Sequence, residues 1–109
     1  MTNVKFFKNN GGFYRIVCDG HTDFGVAGED IICAALSSIV QTAALGILQV
    51  AGVNAVLKKD DGAGYFEMTL PDNITERVKH DADVILNTLY LGVADLHSGY
   101  SDFIELEVI

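Results

Sequence analysis

Cys33 and His21 are the residues of this chain best suited to covalent chemistry. They stand at the two ends of His21-Thr22-Asp23-Phe24-Gly25-Val26-Ala27-Gly28-Glu29-Asp30-Ile31-Ile32-Cys33, which follows Gly20 and precedes a long apolar run. The thiolate is the nucleophilic form of cysteine. An imidazole beside it takes the thiol proton and later delivers it to a leaving amine. Asp30 is a good N-cap residue, and as such it places Cys33 at the third helical position, facing the positive end of the helix dipole and free backbone N–H groups. Helical spacing also puts Asp30, Cys33, Ser37 and Gln41 on one polar stripe, leaving Ile31, Ala34, Ala35, Ile39, Ala43 and Leu45 for burial. Glu29 and Asp30 work against a thiolate by like charge. The dipole and a protonated His21 must outweigh them, or Asp30 must spend its charge on capping or on orienting His21. A buried cysteine is more often an inert small hydrophobe. A cysteine on a polar stripe, one loop away from a histidine, is not simply filling a core.

Those residues need elements to hold them. Val4 to Lys8 and Phe13 to Cys18 are strand-like runs around Asn9-Asn10-Gly11-Gly12, a strong hairpin turn signal. Glycines at Gly20, Gly25 and Gly28 give the next connection conformational freedom. Asp30 to about Ala51 reads as a helix stopped by Gly52. Val53 to Lys58 and Tyr65 to Leu70 form a second hairpin around Asp60-Asp61-Gly62-Ala63-Gly64, with Phe66, Met68 and Leu70 facing inward and Tyr65, Glu67 and Thr69 facing water. After Pro71, Asn73 is placed to cap a helix, with Glu76 completing a capping-box pattern. Ile74, Val78, Ala82, Ile85, Leu89, Val93 and Leu96 then mark its apolar face, and Ser98-Gly99 closes it. Phe103 to Ile109 is a last strand. The order ββαββαβ predicts an α+β fold: one two-layer domain over residues 1–109, with two helices covering a mostly antiparallel sheet.

The bulk composition narrows the partners. Half of the 109 residues are hydrophobic, as in an ordinary folded domain. Fifteen acidic against seven basic residues give a net charge of −8, which disfavours nucleic acid or an anionic membrane and weakly favours a basic partner. Two cysteines with no secretory leader suit a reducing, cytoplasmic setting. Ile31 to Leu57 carries no charge and is long enough to span a bilayer, yet Ser37, Ser38, Gln41, Thr42, Gln49 and Asn54 interrupt it, so it reads as a buried helix running into a strand. Cys18 reads as a structural strand cysteine, with a redox pairing to Cys33 the lesser alternative in the absence of a C-x-x-C spacing. His80 and His97 join no metal-ligating cluster, and Lys58-Lys59-Asp60-Asp61 reads as a charged hairpin tip. No cofactor motif is present: the glycines make no G-x-G-x-x-G and no Walker lysine follows them.

The run Gly20-His21, then seven residues ending in Gly28, then Glu29-Asp30-Ile31-Ile32-Cys33-Ala34-Ala35-Leu36-Ser37, resembles the signature of the ribosomal-processing cysteine proteases, the Prp or YsxB-like family. Leu91-Gly92-Val93-Ala94 and Tyr100-Ser101-Asp102-Phe103-Ile104 extend the likeness along the chain. Thr22 stands where a small residue such as Ala is usual, and Ile32 where Val is common. The resemblance implies a cysteine endopeptidase that removes an N-terminal extension from a large-subunit ribosomal protein, number twenty-seven. It implies His21 and Cys33 as the catalytic pair and Asp30 and Ser37 as supporting polar residues. It further implies a homodimer, a loop of Gly20, Gly25 and Gly28 that moves as substrate binds, and an apolar subsite for an aromatic pair before the cleaved bond. Two rivals stand beside it: a non-catalytic assembly module for a basic ribosomal protein, and a peptidase with another target such as a phage structural protein.

Overall fold

A computed structural model describes residues 1–20 and 29–109, apart from the side chains of Glu29 and Asp30. Strands β1 (Thr2–Asn9) and β2 (Gly12–Asp19) form the first hairpin. At its turn the Asn9 side-chain oxygen accepts the Gly11 N–H at 2.8 Å, a local bond that fixes the reversal. Helix α1 (Glu29–Leu45) continues as a π-helical turn over Gly46–Val50. Strands β3 (Val56–Asp60) and β4 (Tyr65–Thr69) make the second hairpin, and helix α2 (Glu76–Gly99) leads to strand β5 (Ile104–Val108). The five strands lie in the order β3-β4-β2-β1-β5. The β1–β2, β2–β4 and β3–β4 pairings are antiparallel, and β5 runs parallel to β1. This is the α+β architecture expected from the sequence.

One core joins the sheet to both helices. Val4 and Phe6 of β1, Ile16 and Cys18 of β2, and Met68 of β4 meet Ile32, Leu36, Val40 and Ala44 of α1 and Ala82, Leu86, Leu89 and Val93 of α2. Phe6 packs edge-on to Tyr90 at 5.3 Å and against Phe13 at 5.2 Å, which ties α2 to the first hairpin. The stretch Ile31–Val50 is long and apolar enough to cross a membrane by length and composition. Ile32, Leu36, Val40, Ala44 and Ile47, spaced along it, are buried in this core.

Several local expectations shift. The buried face of α1 is Ile32-Leu36-Val40-Ala44, whereas Ile31 and Leu45, expected inside, are 72% and 54% exposed. The reason is phase: a helix in this position can turn only one stripe to the sheet, and the bulkier i, i+4 row wins it. Thr75, not Asn73, caps α2, its hydroxyl accepting the Val78 N–H at 3.3 Å. On α2 the expected Ala82, Leu89 and Val93 are buried, and Leu86 joins them fully buried while Ile85 is only partly so. Val53 belongs to the helix ending, not to β3: its N–H bonds the Ile47 carbonyl at 2.9 Å and its side chain joins the core. Glu67, expected to face water, is buried beside Arg15 and Tyr65.

Candidate active site

The strand register assembles one end of the sheet from four short pieces. Asn3 pairs with Asp19, Asp19 with Tyr65, and Tyr65 with Asp60. Thr2, Gly20, Gly64 and the end of β3 therefore sit in a row along one edge of the sheet. Helix α1 starts over this row and carries Cys33 to it. The result is a cavity of about 340 Å³ lined by Thr2, Cys33, Ser37, Gln41, Asp60 and Tyr65 among others. Leu36, Val40, Phe66 and Cys18 supply an apolar wall to the same cavity.

Cys33 is half-buried, and its Sγ lies 3.6 Å from the Thr2 hydroxyl. That hydroxyl donates to the Gly20 carbonyl at 2.8 Å. Gly20 is held from its other side as well, its N–H bonded to the Gly64 carbonyl at 3.1 Å. Gly20 has φ +100°, and a Cβ there would stand 2.8 Å from the Met1 carbonyl oxygen, so only glycine fits without displacement. The last residue before His21 is thus fixed from two directions.

Helix α1 begins at Glu29, so Cys33 is its fifth residue and not its third, and Asp30 lies inside the helix instead of capping it. A fifth-position N–H falls within the i→i−4 ladder, so the thiol sits just beyond the free N–H groups and draws less on the dipole than expected. Of the polar stripe, Cys33, Ser37 and Gln41 all face the cavity, and Gln41 Nε2 donates to Ser37 Oγ at 2.7 Å. The Asp30 side chain, His21, Gly25 and Gly28 lie outside the described residues.

Cys18 lines the same cavity but differs chemically. Burial pushes its thiol up to about 12, so it stays protonated and unreactive near neutral pH. His80 is exposed beside Asp81 and His97 sits in the last turn of α2; neither reaches this cavity. Among the described residues no group of three or more His, Cys, Asp or Glu is arranged to hold a metal ion.

Sequence reasoning missed two contributors. Thr2 was overlooked because the strand was expected to begin at Val4, although Thr2 continues the alternation of Val4 and Phe6 onto the same face. Lys58-Lys59-Asp60-Asp61 is a charged hairpin tip, as expected, but it was expected to take no part in the site. Lys59, Asp60 and Asp61 instead form the cavity rim, with Lys59 Nζ 3.5 Å from Asp61 Oδ1. Only the β2–β4 register brings that tip alongside Gly20, and no local signal carries it.

The profile of the family described as cysteine protease Prp matches residues 1–105. The ribosomal processing cysteine protease Prp of Bacillus subtilis is 23% identical over 84% of this chain and 81% of its own length. The protein of the same name from Staphylococcus aureus is 26% identical over 91% of this chain and 90% of its own. A crystal structure of the S. aureus protease with a substrate peptide superposes with a TM-score of 0.89 at 24% identity, each chain covered in full. A second, with a covalently linked product peptide, gives 0.82 at 27% identity, again with both chains covered in full. With all but the last four residues inside the family profile, and with a thiol opening on a cavity at the sheet edge, this chain belongs to the Prp family of cysteine proteases.

Proposed function

We propose that this protein is an endopeptidase that removes an N-terminal extension from a large-subunit ribosomal protein, number twenty-seven, with Cys33 as nucleophile and His21 as base. The observation that carries the reading is the position of Cys33: a half-buried thiol opening on a cavity that has an apolar wall and a charged rim. The apolar wall of Leu36, Val40 and Phe66 suits an aromatic pair ahead of the scissile bond. The relatives in B. subtilis and S. aureus, named as ribosomal processing proteases, supply the substrate class.

In this mechanism His21 accepts the Cys33 proton, and the thiolate attacks the scissile carbonyl carbon. The tetrahedral intermediate collapses to a thioester as the protonated His21 gives its proton to the departing amine. Water, deprotonated by the same imidazole, then hydrolyses the thioester and frees Cys33. Ser37, held by Gln41 and facing the cavity, offers its hydroxyl hydrogen to the substrate backbone, and Asp30 orients His21. Of the loop glycines, Gly20 is held at both its N–H and its carbonyl and anchors the segment leading to His21; Gly25 and Gly28 lie outside the described residues. No cofactor takes part.

The protein acts as a cytoplasmic homodimer in this reading. Ile31, Leu45 and Val50 of the first helical segment and Val84 and Leu91 of α2 are 54–83% exposed, apolar surface of the kind a second copy covers. Nucleic acid and membranes are not partners.

The test incubates purified protein with the ribosomal protein bearing its extension and follows the cleaved N-terminus by mass spectrometry. Cys33→Ala is expected to abolish cleavage. His21→Ala is expected to lower kcat/KM by roughly 100- to 10,000-fold, the range of a general base. Cleavage at the normal rate by Cys33→Ala refutes the protease mechanism. Cleavage of a phage structural protein in place of the ribosomal one refutes the substrate.

A further inference from the structure

We infer that Thr2 is a positioning residue for the Cys33 nucleophile, its single hydroxyl setting the sulfur against the Gly20 carbonyl. This rests on Cys33 being the nucleophile. Thr2 is only 6% exposed, so its contacts are little shared with solvent. Its backbone is fixed too: the Thr2 N–H donates to the Phe103 carbonyl at 3.0 Å, and β1 is paired on both sides, with β2 and β5. A β-branched side chain on a strand so held has little χ1 freedom. Oγ1 is therefore a fixed point, 2.8 Å from the Gly20 carbonyl oxygen and 3.6 Å from Cys33 Sγ.

Counting hydrogens assigns the roles. A threonine hydroxyl has one hydrogen and two lone pairs. The Gly20 carbonyl can only accept, so the hydrogen points there and a lone pair faces sulfur. In the resting thiol, Cys33 S–H donates to Oγ1. Once the sulfur is a thiolate it has no hydrogen to give, and the Thr2 O–H turns about its C–O bond toward the anion, a charge-assisted bond stronger than the weak S–H donor bond it replaces. When sulfur bonds to the substrate carbonyl carbon its charge is gone, and the O–H returns to Gly20. No proton leaves Thr2 at any stage. The hydroxyl thus holds sulfur by a hydrogen bond in both the thiol and the thiolate, and in the resting thiol it links sulfur to the Gly20 peptide group, the one that continues into His21.

Thr2→Val keeps the volume and β-branch but removes the hydroxyl; Thr2→Ser keeps the hydroxyl and loses a methyl. On the ribosomal substrate Thr2→Val is expected to lower kcat by about five- to tenfold, the scale of one hydrogen bond, with KM little changed. Alkylation of Cys33 by iodoacetamide, which needs no substrate, slows alongside it. Thr2→Ser keeps kcat and the alkylation rate near those of the parent. Where Thr2→Val does not fold by urea titration, Thr2→Ala takes its place as the hydroxyl-free variant. Parental kcat and alkylation in the hydroxyl-free variant overturn the inference, and so does a loss in Thr2→Ser equal to that in Thr2→Val, which would assign the effect to packing. An inactive Cys33→Ala beside an unaffected Thr2→Val removes the Thr2 role alone. An active Cys33→Ala removes the nucleophile assignment itself.

Discussion

Replacing Gly20 by alanine tests whether the sheet edge, and not only the thiol, makes the site. At φ +100° an L-residue is strained, and holding a non-glycine in such a region costs on the order of 1–3 kcal/mol. The new Cβ would also lie 2.8 Å from the Met1 carbonyl oxygen, a backbone atom that cannot swing aside as a side chain does. Relief requires the Gly20 peptide to move away from β1, which stretches its 2.8 Å bond from Thr2, a contact worth about 0.5–1.5 kcal/mol. The two terms together predict a loss of roughly 1.5–4.5 kcal/mol, a large share of the 5–15 kcal/mol typical of a folded domain but short of unfolding it. The assay is a urea titration: the midpoint falls while the slope stays constant. Activity per folded molecule falls as well, because the displaced segment leads into His21. Gly99→Ala is the control. Gly99 has no positive φ, nothing within 4 Å of its Cβ position, and a place at the end of α2, so alanine there is neutral or stabilising by up to ~1 kcal/mol. A Gly20→Ala protein within about 0.5 kcal/mol of the parent, the ordinary effect of a surface substitution, refutes the reasoning.

Further outcomes follow from the same structure. With its thiol pushed up to about 12 by burial, Cys18 resists alkylation in the native protein, so mass spectrometry at pH 8 shows one adduct per chain, and two in denaturant. The Glu67 carboxyl is held below its usual range first by the Tyr65 hydroxyl at 2.5 Å, then by Arg15 at 2.8 Å. A depressed folded-state value stabilises above the unfolded value of about 4.3, and that stability is lost as pH falls through the folded value. Glu67→Gln should therefore cost roughly 1–3 kcal/mol at pH 7 and progressively less in acid, which parallel urea titrations read directly; a constant difference across pH refutes the ionic role. Thr75→Ala should destabilise by about 0.5–2 kcal/mol through the lost helix cap, while Asn73→Ala should change little; the reverse order would return the cap to Asn73.

The element order was legible because each segment carries its own period. The aromatic and β-branched run of β1, alternation in β4, glycine-rich turns, and the three-and-four spacing of α2 are local signals, and they survive folding. What local pattern could not settle was phase. In α1 nearly every position is small or apolar, so periodicity allowed more than one buried stripe, and only the packed sheet selects Ile32-Leu36-Val40-Ala44. On α2 the expected face holds at Ala82, Leu89 and Val93, with Leu86 taking the deep position expected of Ile85. Glu67 was misplaced for a different reason: alternation assigns a residue to a face, but burial on that face depends on cross-strand neighbours, here Arg15 on β2 and Lys58 on β3.

The site divides along the same line. Cys33, Ser37 and Gln41 could be read together because one helix carries them, and the structure brings all three to one cavity. Thr2 and the rim residues Lys59, Asp60 and Asp61 could not, because their neighbours come from β2 and α1, far away in sequence. Register explains why they meet. An antiparallel β1–β2 pair places the start of β1 beside the end of β2, and each further antiparallel partner adds the start or end of another strand to that row. The sheet edge so formed is a line of backbone ends with carbonyls and N–H groups of its own to satisfy, and Thr2 answers one of them by binding Gly20. A thiol set against that line is held by the scaffold's paired strands. On this architecture substitutions in the strand ends alter how fast Cys33 reacts, and substitutions on the cavity rim alter which peptide reaches it.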